Sequence, residues 1–418
     1  MSQVQRNVGW VGKRPFDVHL APLKSVLRIR REINSPIKSE RILSLTNDRG
    51  VIPYEEKGAI GNNVSEDISR YSIVHIGDIV MNSMNVIIGS VGLSKYDGAL
   101  SPVYYVLQPV NKDQMDMRYF AYHFGMPAFY KQLARIGYGI LEHRMRIPWI
   151  NLQNELMFVP PIAKQKAIAD YLDRETKLID ALIEKKQQMY DLVQLRRRAL
   201  VELYLGEASF PKWKLGRLLI SNDGGVWGED PAGVDDTVVL RSTDISITGD
   251  WSIDNPALRS LTQSEKRAKT LKQGDLVVVK SSGSEAHLGK TAIVNSAVAD
   301  LDACYANFVQ RLRPRDTKDA KFLWYFLNSD LASKELDRLG NTTTGLRNLN
   351  GESLGSIKCP WPDSEIRETL CQELDRRIAT SNSLLSALEG QIALLRERRQ
   401  ALITAAVTGD LEIAEVAA

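Results

Sequence analysis

Cysteine is scarce in this chain: Cys304, Cys359 and Cys371 are the whole set, and none is spaced as CxxC. Three thiols without that spacing exclude an even disulfide framework and a thiolate zinc site, which points to a reducing compartment. Histidine is sparse too, and His19, His75, His123, His143 and His287 make no HExxH and no close pair with a cysteine, so a metal has no ligand set. No apolar run approaches the length of a membrane span, and the opening MSQVQRNVGWVGKRPF has no apolar stretch of the kind that directs export. The expectation is a soluble, cytoplasmic chain. Phosphate loops are missing as well. There is no GxGxxG, and GSEAHLGKT (283–291) spaces its glycines six apart where a Walker A loop has five. It also runs into the strand-like AIV, so no helix dipole would face a phosphate. The Asn-Pro-Pro-aromatic tetrapeptide of amino-methyltransferases is absent, and nothing pairs the scattered carboxylates for acid–base work.

What is present is bulk and patterning. With 418 residues, 44% hydrophobic and 25% charged, the chain is long enough for two to four domains. The net charge of +3 is too small to specify a partner, but it is unevenly spread. Residues 1–158 hold 19 Lys/Arg against 14 Asp/Glu, a net of +5, and residues 363–418 hold 6 against 10, a net of −4.

The strongest signal is an internal repeat. LDRETKLIDALIEKKQQMYDLVQLRRRAL (172–200) returns as LDRRIATSNSLLSALEGQIALLRERRQAL (374–402), with Leu172, Asp173, Arg174, Arg196, Arg197, Ala199 and Leu200 each matched 202 residues later. Upstream, HIGDIVMNSMNVIIGSVG (75–92) pairs with KQGDLVVVKSSGSEAHLGKTAIV (272–294), placing Gly77, Asp78 and Gly89 on Gly274, Asp275 and Gly289. Both read as a strand, a polar turn and a second strand. RYFAYHF (118–124) pairs with KFLWYFL (321–327) as a short helix, taken 202 apart with Phe120 on Phe322 and Phe124 on Phe326, and the openings HLAPL (19–23) and KLGRL (214–218) agree loosely. The chain therefore reads as a tandem duplication of a globular domain followed by a long helix: domains 1–158 and 207–362, helical spacers 159–206 and 363–418.

Prolines announce both helices, Pro160 and Pro161 before the first and Pro360 and Pro362 before the second. Leu374, Ile378, Ser381, Leu385, Leu388, Ile392, Leu395, Arg399 and Leu402 alternate four and three apart, the seam of a coiled coil. The first helix has a patchier seam at Leu172, Thr176, Ile179, Ile183, Lys186, Tyr190, Val193, Arg197 and Leu200. Packing of the two seams would make the helices antiparallel. The expected fold is α+β: two related α/β domains separated by two long helices in an antiparallel coiled coil, with pseudo-twofold symmetry like that of a dimeric DNA reader.

PPIAKQKAIADYLDRETKLIDALIEKK (160–186), together with its degenerate second copy and the two unlike domains before them, resembles the specificity subunit of a Type I restriction-modification enzyme. Pro160, Pro161, Gln165, Ile168 and the Leu-Asp-Arg at 172–174 carry the resemblance, which covers nearly the whole chain; the second copy, CPWPDSEIRETLCQEL (359–374), lacks the Pro-Pro-x-x-x-Gln run. The resemblance implies two target recognition domains, each reading one part of an interrupted double-stranded DNA sequence. It also implies helices that dock two modification subunits, and recruitment of restriction subunits. S-adenosylmethionine, ATP and magnesium would then serve those other subunits, and this chain would be non-catalytic with no cofactor of its own. DNA reading calls for Arg or Lys toward phosphate and guanine, and for amides and hydroxyls toward base edges. In the first domain this selects Arg28, Arg30, Arg31, Asn82, Ser83, Asn85, Arg144 and Arg146. In the second it selects Lys280, Ser281, Ser282, Ser284, Thr342, Thr343, Thr344, Arg347 and Asn348. Two other classes of reading stay open: a self-contained enzyme acting on DNA, and a coiled-coil scaffold without nucleic acid.

Overall fold

A computed structural model describes residues 19–47, 49–58, 64–65, 67–138, 145–281, 288–339 and 349–413. It divides into two compact units, residues 1–187 with 390–418 and residues 188–389. The content is mixed helix and sheet, and each unit repeats the same plan. In unit 1, β1 (His19–Pro22), β2 (Leu27–Ile29), β3 (Ile79–Asn82), β4 (Val91–Leu93), β5 (Tyr104–Pro109) and β6 (Leu156–Val159) surround helix α1 (Met117–Phe124). Helix α2 (Ile162–Leu205) follows. In unit 2 the counterparts are β7 (Lys212–Lys214), β8 (Leu219–Gly224), β9 (Leu276–Val279), β10 (Thr291–Ile293), β11 (Val309–Pro314) and β12 (Lys358–Pro360), with α3 (Ala320–Leu327) and α4 (Ser364–Thr408). The main sheets run β2-β5-β3-β4 and β8-β11-β9-β10, antiparallel throughout, while β1 pairs with β6 and β7 with β12.

Two of the repeat alignments shift. Leu23 donates to the Glu155 carbonyl (2.8 Å) and Leu215 to the Ile357 carbonyl (2.9 Å), so the openings correspond at Leu23 and Leu215, not at 19–23 with 214–218. The short helices correspond 203 apart, because Tyr122 Oη bonds Asp173 (2.8 Å) as Tyr325 Oη bonds Asp375 (2.5 Å). An aromatic-rich stretch tolerates a one-residue slip in sequence, and the hydrogen bond to the carboxylate removes the ambiguity.

Those contacts give the repeated Leu-Asp-Arg its physical meaning. Leu172 and Leu374 are fully buried in their units' cores. Asp173 also takes an ion pair from Arg118 (2.8 Å) and Asp375 one from Lys321 (3.0 Å), so each motif clamps a long helix to the short helix of its own unit. Gln165 makes a second clamp: 1% exposed, it accepts from the Asp116 N–H (2.9 Å) and donates to the Pro160 carbonyl (2.8 Å). The second copy does the same with a different residue. Arg367 donates to Asp319 (2.7 Å) and to the Pro362 carbonyl (2.5 Å), and its guanidinium stacks on Trp361 at 4.0 Å. The missing Pro-Pro-x-x-x-Gln run is thus a change of chemistry at a retained joint.

The turns before β3 and β9 show why Gly-Asp recurs. Gly77 and Gly274 have φ of +90° and +86°, a region open to glycine. The next residues, Asp78 and Asp275, each accept the backbone N–H three residues back at 2.8 Å and are each held by two guanidinium nitrogens.

Both long helices contribute to both cores. Unit 1 buries Ile168, Ala169 and Leu172 of α2 beside Ile403, Ala406 and Val407 of α4. Unit 2 buries Leu205 of α2 beside Leu374 and Ile378 of α4. Within unit 1, Asp180 pairs with Arg399 (2.8 Å) and Lys186 donates to Gln391 (2.6 Å); within unit 2, Arg377 lies 5.7 Å over Tyr204. In unit 1 one residue number rises as the other falls, so the helix segments there are antiparallel. Every seam position named from the sequence is buried or half-buried, Lys186 and Tyr190 included.

Candidate nucleic-acid interface

In each unit three segments far apart in sequence meet at one corner of the main sheet. In unit 1, where β3 ends, the Ser83 carbonyl accepts from Ile147 N–H (2.8 Å) and the Ser83 N–H points at the Val103 carbonyl (3.4 Å). In unit 2, where β9 ends, the Lys280 carbonyl accepts from Leu349 N–H (2.8 Å) and the Lys280 N–H donates to the Phe308 carbonyl (3.0 Å). The corners correspond bond for bond. Each joins the turn after the Gly-Asp strand, the tip before the central strand, and the chain leaving the second polar segment. The chain at Ser83 or Lys280 is thus bonded to Ile147 or Leu349, which lie some 60 positions further along the sequence.

Individual candidates fare differently. Asn82 and Asn85 are half-buried at the unit 1 corner, with Asn82 Oδ1 accepting the Met84 N–H (3.0 Å). Arg146 is exposed and forms a two-bond bridge with Tyr138 (2.9 Å each way) at the foot of the 139–144 segment. Lys280 and Ser281 are half-buried at the unit 2 corner. Arg144, Ser282, Ser284, Thr342, Thr343, Thr344, Arg347 and Asn348 lie outside the described residues. Two candidates are absorbed by the fold. Arg30 gives two hydrogen bonds to Asp78 (2.7 and 2.8 Å), an interaction that raises its pKa, and Ser83 Oγ is 3% exposed and donates to the Val103 carbonyl (2.7 Å). Their polar groups are spent on the sheet. Arg28 is exposed but sits opposite Gln108 on β5, five residues from Val103, or roughly 17 Å at the rise of a strand. Arg31 is exposed, and neither it nor Arg28 forms an ion pair among the described residues.

The tips were not legible as functional. Asn307 and Phe308 are exposed between buried Ala306 and Val309, and Phe308 is 62% exposed at the side of Lys280. The matching tip in unit 1 is Pro102-Val103. An aromatic ending a turn in YANF was the only cue. Below each corner the support also differs: Tyr105 Oη reaches the Ile147 carbonyl (3.0 Å) with its ring edge-on to Trp149 in unit 1, whereas buried Gln310 and half-buried Asn222 do this work in unit 2.

Chemically, the unit 1 corner offers the amides of Asn82 and Asn85 and the unit 2 corner the Lys280 ammonium, each beside carbonyl acceptors and exposed apolar surface. That combination suits recognition of base edges. Among the described residues no group of three or more His, Cys, Asp or Glu could hold a metal ion, and no helix is long and apolar enough to cross a membrane.

No family model matches the chain. It is 26% identical over 149 residues to the Type I restriction enzyme StySPI specificity subunit of Salmonella potsdam, covering 36% of this chain and 31% of that protein. It is 25% identical over 146 residues to the EcoKI specificity subunit of Escherichia coli K12, covering 35% and 31%. The matches thus span under a third of these curated relatives' length. Among solved structures, a chain of a type I R-M system, studied for its complex assembly and conformational transition, superimposes with a TM-score of 0.71 at 16% identity over 96% of this chain and 100% of its own. The HsdS subunit from Thermoanaerobacter tengcongensis gives a TM-score of 0.47 at 16% identity, over 96% and 99%. The chain resembles Type I restriction enzyme specificity subunits in sequence, and it has the fold of a chain from a type I R-M system.

Proposed function

We propose that this chain is the DNA-specificity subunit of a Type I restriction-modification complex, working in the cytoplasm. Each unit reads one half of an interrupted, asymmetric double-stranded target through its corner. The two long helices form an antiparallel coiled coil that fixes the gap between the halves and docks two modification subunits, and restriction subunits join the assembly. The chain itself carries out no reaction; S-adenosylmethionine, ATP and magnesium act in the partner subunits.

The observation that carries this reading is the duplicated corner. The same backbone hydrogen bonds are built in both units, yet the side chains on them differ: Asn82, Ser83 and Val103 in one, Lys280, Ser281 and Phe308 in the other. A frame kept while its surface varies is what two readers of different sequences require.

Selection from a library of randomised duplexes by the full chain, alone and with co-expressed modification subunits, tests it. The expected product is one motif of two unlike blocks around a run of unspecified base pairs. Binding should also fall steeply with salt, as phosphate neutralisation demands. A continuous motif, a perfect palindrome or no enrichment would contradict the reading.

A further inference from the structure

The two corners differ most in what lies beneath them. On the central strand β11, Gln310 is 4% exposed; its Nε2 donates to Asn222 Oδ1 (2.7 Å), and Asn222 Nδ2 donates to the Gly351 carbonyl (2.6 Å). The other end of this strut, Gln310 Oε1, faces Lys280 Nζ at 3.5 Å. The strut thus ties β8, β11 and the chain leaving the 340–348 segment to one ammonium.

The fold does not need this polar set. The strand registers place Ile29, Tyr105 and Ser83 of unit 1 where unit 2 has Asn222, Gln310 and Lys280, and that unit builds the same corner. Buried polar networks are costly unless complete, so an apolar solution would be the default. Lys280 leaves the network incomplete. Its ammonium has three N–H donors, one long contact to Gln310, and no ion pair among the described residues. It is half-buried, and burial, with Lys269 nearby, pushes its pKa down. Space has been kept around it as well: a Cβ at Gly224 would come within 3.3 Å of Lys280 Nζ.

We propose that Gln310 and Asn222 are positioning residues that aim the Lys280 ammonium, and that Lys280 is the group that reads a guanine edge in the half-site of unit 2. The inference rests on the DNA-reading function proposed above. Guanine presents O6 and N7 side by side in the major groove, two acceptors for the two donors that make no hydrogen bond among the described residues. A phosphate contact would need neither a recess nor a fixed direction. Phe308, whose carbonyl accepts the Lys280 N–H, adds an exposed apolar side chain to the same corner.

The test is duplex selection followed by binding measurements over a range of salt, with the full chain as wild type, Lys280→Met and Gln310→Met. Lys280→Met should lower the preference for guanine at one base pair by about 10- to 100-fold. Gln310→Met should weaken the preference at that same pair by a smaller factor, and the half read by unit 1 should stay unchanged in both. A purely structural role for Gln310 would reduce binding to all sequences alike and leave the motif intact, which overturns the proposal. So would uniform weakening by Lys280→Met with a shallower salt dependence, the mark of a phosphate contact. So would effects of the two variants at different base pairs. If Gln310→Met fails to fold, Asn222→Ser cuts the strut from β8 and must weaken the same base pair. If the wild-type chain enriches no motif, the proposed function fails and this assignment with it.

Discussion

Asp275→Ala is expected to destabilise unit 2 by about 3 kcal/mol, toward the lower end of the range for breaking a buried ion pair. Asp275 is 1% exposed at its side chain, and both its oxygens are taken by Arg313 (2.6 and 2.7 Å) while one also holds the Lys272 N–H (2.8 Å). Alanine leaves a backbone donor and a guanidinium without their acceptor. Arg313 is 23% exposed, so water recovers part of the loss. Asp275→Asn keeps an acceptor for the turn and should cost less. Hydrogen exchange is the readout: amides of Leu276–Val279 should exchange faster while those of Ile79–Asn82, which follow the equivalent Asp78, should not. Unchanged exchange in Leu276–Val279 would show that the Gly-Asp repeat does not hold the turn.

The second large effect concerns the proposed ruler. Insertion of four residues near Glu202, at the end of the first seam, would disrupt packing, because Glu202 accepts the Leu331 N–H (3.2 Å) and Leu205 is fully buried in the unit 2 core. The divisions between units fall at 187/188 in α2 and 389/390 in α4. Those positions match the antiparallel register of Lys186 with Gln391. Four helical residues inserted at both places add about 6 Å to each helix and about 40° of rotation. DNA rises about 3.4 Å per base pair, so the unspecified gap should lengthen by one or two base pairs while both blocks keep their bases. An unchanged gap would mean that the helices are tethers.

The helices were legible because their information is local. Proline stops and a 4-3 alternation are properties of neighbouring residues, and all eighteen seam positions lost exposure as expected. The repeat added the element order of the domains. Side-chain roles were less legible, since they depend on partners distant in the chain. Arg30 looks like a DNA contact until Asp78, 48 residues on, is seen to hold it. Ser83 looks like a free turn hydroxyl until it is seen to donate to the Val103 carbonyl. Gln165 and Arg367 share a joint that residue identity conceals, because an amide and a guanidinium can both donate to a proline carbonyl. Gln310 and Asn222 read as ordinary strand residues; only the neighbouring strands bring them together.

Half-by-half reading is the central claim, and exchange of one domain tests it most directly. Residues 1–158 would be replaced by the same region of a related chain, chosen to keep the basic and tyrosine side chains that bond Asp173 from positions 118 and 122, so that the joint to α2 survives. Duplex selection would then be repeated on the exchanged chain. The account predicts that one block of the motif changes to new bases while the block read by residues 207–358 and the gap stay as they were. Simultaneous change of both blocks, or of neither, would contradict it.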